Sequence, residues 1–116
     1  MIDPARAALT STLAPLAEAA RRAMASCPRV VVLVEGLSDR FAIEELAVRR
    51  GRDLAADGVL VAPMEGATNL GRFLAVFGTR GLDLRVYVLC DAREAAGMRR
   101  HLRGAGLPES VLYACT

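Results

Sequence analysis

Val30-Val31-Val32-Leu33-Val34-Glu35-Gly36-Leu37-Ser38-Asp39 is the stretch that decides the fold of this chain. Its first five residues are apolar, and four of them are β-branched. Such a run is too short for a typical helix and too apolar for a strand with one wet face. It predicts a buried strand of a parallel sheet. Glu35 falls where that strand leaves the core, and Gly36 is expected to let the chain turn sharply. Ligands of open α/β sheets gather outside the carboxyl ends of the strands. A carboxylate there is a metal ligand, a general base or a helix-start residue.

Downstream of this first strand (residues 29–35), Ser38 or Asp39 is placed to cap a helix running to about Arg50. Phe41, Ala42, Glu45, Leu46 and Val48 would form its mixed face, and Gly51 would close it. Arg49, Arg50 and Arg52 suit the negative end of that helix. Asp57-Gly58 marks a turn into a second strand, Val59-Leu60-Val61-Ala62, which ends at Pro63-Met64-Glu65-Gly66. Thr68 or Asn69 opens a helix through Phe77, with Leu70, Phe73, Leu74 and Phe77 inward. A third strand over Arg85–Cys90 ends at Asp91, residues 92–103 form a helix, and Val111–Cys115 is a last strand. Strands alternating with helices of about 10 to 15 residues imply right-handed crossovers and a parallel sheet. The expected fold is α/β: a four-stranded parallel sheet with helices on both faces, strands one and three adjacent at its centre.

Upstream, residues 1–28 read as an N-terminal helical segment preceding a domain over residues 29–116. Asp3 suits an N-cap and Pro4 the first helical position. Leu9, Leu13, Leu16, Ala20, Ala23 and Met24 recur as one apolar stripe. Pro15 predicts a kink or break near residues 11 to 14. The stripe would pack on its own domain or on a second copy of the chain.

At 116 residues the chain has room for one domain. Aromatics are only 4% of it, so the core must be built from Val, Leu and Ala. A net charge of +2 gives no broad electrostatic footprint for nucleic acid. All 15 cationic side chains are Arg, which excludes lysine amine chemistry and leaves many planar forks suited to phosphate. Cys27, Cys90 and Cys115 lack C-x-x-C spacing and suggest neither a zinc site nor a disulfide framework. No apolar run approaches the roughly 20 residues that span a bilayer, and no signal peptide opens the chain. A reduced, cytoplasmic setting with no membrane partner is the expectation.

Three strands end in an acid: Glu35, Glu65 and Asp91. Parallel strands share a direction, so these acids should lie on one sheet edge, with Asp39 and Glu94 able to point back to it. Clustered carboxylates repel unless cations or donors compensate. Magnesium suits such a place: hard oxygen ligands, one or two carboxylates, the remaining positions held by water and phosphate. Each acid taken alone is equally explained as a cap facing a helix dipole.

Glu35-Gly36-Leu37-Ser38-Asp39 after its Val-rich strand resembles the first signature of a Toprim (topoisomerase–primase) domain. Leu89-Cys90-Asp91-Ala92-Arg93-Glu94 stands where that family carries Asp-x-Asp, and Pro63 to Leu74 resembles the second strand–loop–helix of its OLD (overcoming lysogenisation defect) branch. The resemblance covers residues 29–115. It implies that Glu35 and Asp91 bind one or two Mg²⁺ ions, with Mn²⁺ an alternative. It implies too that Glu35 serves as general acid or base in phosphodiester chemistry, and that Asp39 is a further ligand. Arg93 replaces the second Asp of the motif. Glu94 is the candidate substitute, though its direction differs by about 100° on a helix. The domains of that family continue beyond the fourth strand with further site residues, and no ATP-binding G-x-x-x-x-G-K-[ST] loop is present here.

The leading expectation is a Mg²⁺-dependent, nuclease-like phosphoryl-transfer domain acting on DNA or RNA, with a separate ATPase or other protein as partner. The alternative is a degenerate, non-catalytic module that binds metal, nucleic acid or a protein. Arg93, Arg99 and Arg100 are the candidate nucleic-acid contacts, against a plain solvated helix face for the last two. His101 suits a helix C-terminus better than a base. A receiver-like signalling domain would also gather acids at strand ends, but it needs a lysine that this chain lacks.

Overall fold

Residues 4–108 and 111–115 are described by a computed structural model of the chain. The expected cap Asp3 lies outside the described residues. Two helices open the chain: α1, Pro4–Ala8, and α2, Ala14–Ser26. The break between them is the one Pro15 predicts. Proline lacks the amide hydrogen and crowds the carbonyl four residues back, so a continuous helix cannot pass. Pro15 instead sits in the first turn of α2, where its amide would be unpaired anyway. The Ser11 hydroxyl oxygen accepts the Leu13 N–H at 3.1 Å in the break.

Four parallel strands follow: β1, Val30–Val34; β2, Val59–Pro63; β3, Arg85–Asp91; and β4, Leu112–Cys115. They are connected by α3, Leu37–Arg49; α4, Leu70–Phe77; and α5, Ala95–Gly104. Single 3₁₀ turns, Ala67–Asn69 and Ala92–Glu94, lead into α4 and α5. The sheet order is β2-β1-β3-β4, so β1 and β3 are the central neighbours. Val30 pairs with Val59 on one side and with Arg85 on the other.

Alternate residues of a strand face opposite sides of the sheet. Val31 and Leu33, Leu60 and Ala62, and Val86, Val88 and Cys90 enter one apolar cluster with α1, α2, α4 and α5. Phe73 and Phe77 stack at its centre, 6.2 Å between ring centroids, and both are fully buried. From the N-terminal segment, Ala8, Leu16, Ala19, Ala20 and Ala23 join the same cluster. The stripe is therefore rotated from the expected one. Leu9, in the turn after α1, and Met24, on the outer side of α2, are exposed, while small alanines face the sheet.

α3 packs on β1 and β2 and contributes nothing to that cluster. It buries no residue fully. Phe41, Leu46 and Val48 of the expected mixed face are exposed, and Arg40, Ile43, Glu44 and Ala47 are the half-covered stripe. The reason lies at the edge strand β2. Arg22 reaches across from α2 and donates to the Val61 carbonyl at 2.7 Å, covering the open edge. Its guanidinium also meets Glu44 at 3.6 Å, and Arg40 meets Glu44 at 3.1 Å. Burial, followed by the charge of Arg40, pulls the Arg22 pKa down. A half-buried arginine is favoured by such a partner, and the charged stripe of α3 turns toward this edge.

Gly51 closes α3 as expected, with a φ of 71° just past its end. Gly36 does not behave as expected. Its φ of −141° and ψ of 173° are extended backbone open to any residue, and the chain turns without glycine's freedom. Among the described residues no helix is long and apolar enough to cross a membrane.

Candidate metal centre

β1 ends at Val34 and β3 ends at Asp91, so Glu35 and Asp91 leave adjacent strands at the same edge. One Glu35 carboxylate oxygen accepts the backbone N–H of Asp91. The β1–β2 ladder runs one step beyond the strands, with the Glu65 N–H donating to the Glu35 carbonyl at 2.8 Å. Glu65 itself takes a left-handed backbone, φ 56°, next to Gly66 at φ 140°. Such a conformation disfavours a side chain and is held here by its neighbours. Asn69 contributes by donating to the Met64 carbonyl at 3.0 Å. The backbone bond to the Glu35 carbonyl sets Glu65 beside it, at the strand end where the sequence places this acid.

The remaining expected residues take separate positions. Asp39 turns back within its own helix, and its carboxylate accepts the Gly36 N–H at 3.0 Å. Gly36 is therefore the N-cap residue, in place of Ser38 or Asp39, and Asp39 completes the start of α3 from its third position. Glu94 stands exposed at the end of its 3₁₀ turn.

Arg93 engages both carboxylate oxygens of Asp91. Its backbone N–H and Nε donate to Asp91 Oδ1 at 2.9 and 3.2 Å, and Nη2 donates to Oδ2 at 3.1 Å. These hydrogen bonds from Arg93 hold the Asp91 carboxyl below its ordinary range, and the same contact pushes the guanidinium pKa up.

Among the described residues no group of three His, Cys, Asp or Glu side chains forms a cage for a metal ion. The chemistry of the donors still suits one hard cation. Glu35 and Asp91 are neighbouring carboxylates, and magnesium needs only one or two, completing its shell with water and phosphate. Asp39 and Glu65 keep carboxylate oxygens with no protein donor among the described residues, at the same end of the sheet.

A cleft of about 590 Å³ lies between α4 and α5, and none of these acids lines it. Arg80, Arg100, His101 and Arg103 contribute to its wall, with Gly71 and Gly106. No acidic side chain is among its lining residues. Arg99 is exposed on α5 outside the cleft wall.

Residues 28–92 match the family model for the Toprim domain of overcoming lysogenization defect-like proteins. That span includes Glu35, Asp39 and Asp91 and stops before Arg93. The structure is similar to the C-terminal region of the Xanthomonas campestris pv. campestris OLD protein, at 28% identity and a TM-score of 0.55. The likeness covers 67% of this chain and 36% of that one. It also shares its fold with the C-terminal region of the Burkholderia pseudomallei OLD protein, at 23% identity and a TM-score of 0.54, over 77% of this chain and 44% of that one. The chain thus spans less than half the length of either region. No curated protein matches it.

Proposed function

Since the chain belongs to the OLD-like Toprim family, by a match over residues 28–92, we propose that it is a metal-dependent, nuclease-like domain acting on nucleic-acid phosphodiesters. One observation carries the assignment of the site: the Glu35 carboxylate is fixed against the end of β3, beside Asp91. Glu35 and Asp91 would hold a divalent cation, Mg²⁺ or Mn²⁺, with Asp39, Glu65 and Glu94 as nearby acids. Such an ion supplies an activated water and stabilises the departing oxygen of a phosphodiester.

The chain's own residues have distinct parts. Glu35 is the acid or base, because its second oxygen has no protein donor among the described residues and can take a proton from water. Asp39 keeps the β1–α3 turn rigid through its bond to Gly36, and so keeps Glu35 in place. The acid-free cleft with Arg80 and Arg100, together with exposed Arg99, is a basic surface for nucleic-acid phosphates away from the acids. A separate ATPase is the partner that this family reading favours.

The test is divalent-ion-dependent cleavage of end-labelled DNA and RNA by the full chain. Cleavage that needs Mg²⁺ or Mn²⁺ and is lost in Glu35→Gln is the expected result. No cleavage of either polymer, or cleavage undiminished in Glu35→Gln, removes the enzymatic assignment. A second reading, a module that binds metal or nucleic acid without cutting, is favoured by the grip of Arg93 on Asp91. It predicts binding of Mn²⁺ and of an oligonucleotide with no product.

A further inference from the structure

Asp91 is the one carboxylate at the strand ends whose two oxygens are both held by a cation. That cation is the guanidinium of Arg93, two residues on, at the position where a second acid is expected. The pair is open to solvent: the Arg93 side chain is 88% exposed and that of Asp91 42%. Exposed ion pairs are weakly held and exchange partners readily. A divalent cation competes for the carboxylate, and a phosphate competes for the guanidinium, whose planar fork fits it as well as it fits Asp91. Each competitor releases what the other needs.

We propose that the Arg93–Asp91 pair is a two-way switch that couples metal binding at Asp91 to phosphodiester binding at Arg93. With neither ligand present, the two side chains neutralise each other. A metal ion on Asp91 leaves Arg93 free to take a backbone phosphate of the nucleic acid. A phosphate on Arg93 uncovers Asp91 for the metal. Linkage requires the two effects to be equal, so nucleic acid raises metal affinity by the same factor that metal raises nucleic-acid affinity. The factor is bounded by the strength of the pair that both ligands break, about two- to fivefold for an exposed ion pair. Arg93 is thus a positioning and coupling residue, and its presence in place of an acid keeps the Asp91 charge balanced when the site is idle. The proposal rests on Asp91 being a metal-binding carboxylate.

The test is calorimetric titration of MnCl₂ into the full chain, with and without a saturating short oligothymidylate. Wild type, Arg93→Gln and Arg72→Gln are compared; Arg72 is an exposed arginine that pairs with none of these acids among the described residues and controls for the lost charge. Wild type and Arg72→Gln should bind Mn²⁺ about two- to fivefold more tightly with the oligonucleotide. Arg93→Gln should bind Mn²⁺ more tightly than wild type without the oligonucleotide, and should gain less than wild type on adding it. An equal gain in Arg93→Gln and wild type, or no gain in wild type, overturns the switch while leaving the metal site standing. Failure of all three proteins to bind Mn²⁺ overturns the metal site itself, and the switch with it.

Discussion

The carboxylate of Glu35 accepts the backbone N–H of Asp91, tying the end of β1 to the end of β3 across the centre of the sheet. The side chain of one candidate ligand thus helps position the backbone of the other. Glu35→Gln keeps an amide oxygen for this bond, and Glu35→Ala removes it. Glu35→Ala should lower stability by about 1 kcal/mol, the typical net worth of such a bond, while Glu35→Gln stays near wild type. Urea unfolding of the two variants checks this independently of any activity.

Arg93 keeps Asp91 ionised to lower pH than an ordinary carboxylate. A carboxyl group depressed in the folded state contributes stability that is present above its unfolded pKa and lost as pH falls through the folded value. The contribution of Asp91 should therefore persist at neutral pH and fade only below its ordinary value of 3.8. In Arg93→Gln the Asp91 titration should move up toward that ordinary value, as read by the carboxyl carbon shift in an NMR titration. An unmoved titration would mean that the ion pair does not persist in solution.

Phe77 is fully buried against Phe73 beneath the central strands. Phe77→Ala leaves a cavity in the apolar cluster that α4 shares with α1, α2 and α5. It should destabilise the chain by about 3–5 kcal/mol. The exposed Phe41, 53% accessible on α3, should cost far less when changed to Ala. Chemical denaturation of both variants compares the two faces of the sheet directly.

Arg80 and Arg100 wall a cleft with no acidic lining residue. If they meet nucleic-acid phosphates, Arg80→Ala and Arg100→Ala should each weaken oligonucleotide binding and reduce the slope of log affinity against log salt by roughly 0.7 for single strands. Fluorescence anisotropy at several salt concentrations measures both. A slope equal to wild type would assign these arginines to the helix ends alone.

Much of the architecture was legible beforehand because it depends on local pattern. The Val-rich run of β1, the alternation of strands with helices, and Gly51 at the end of α3 each specify a backbone state within a few residues. Pro15 breaks the N-terminal helix for a reason internal to the peptide bond. The parallel order then follows from crossover handedness, and acids at the strand ends must share an edge whatever the details. The Toprim resemblance, read from Glu35–Asp39 and Asp91, agrees with the family match over residues 28–92.

What the chain alone could not decide were the partners of individual side chains. The face that α3 turns inward is set by Arg22, arriving from a helix 39 residues away from its acceptor Val61. Periodicity on α3 carries no trace of that contact. Asp39 was equally a cap or a ligand in sequence, and the extended backbone at Gly36 put its N–H within the carboxylate's reach. Arg93 was legible as a missing acid. Only the 3₁₀ turn after β3 brought its guanidinium onto Asp91, because the direction of a side chain two residues past a strand depends on how the chain enters the next helix. Sequence by itself determined the sheet and the edge where chemistry gathers. The tertiary structure decided which charges there meet, since that depends on long-range packing and on the few ångströms over which ion pairs act.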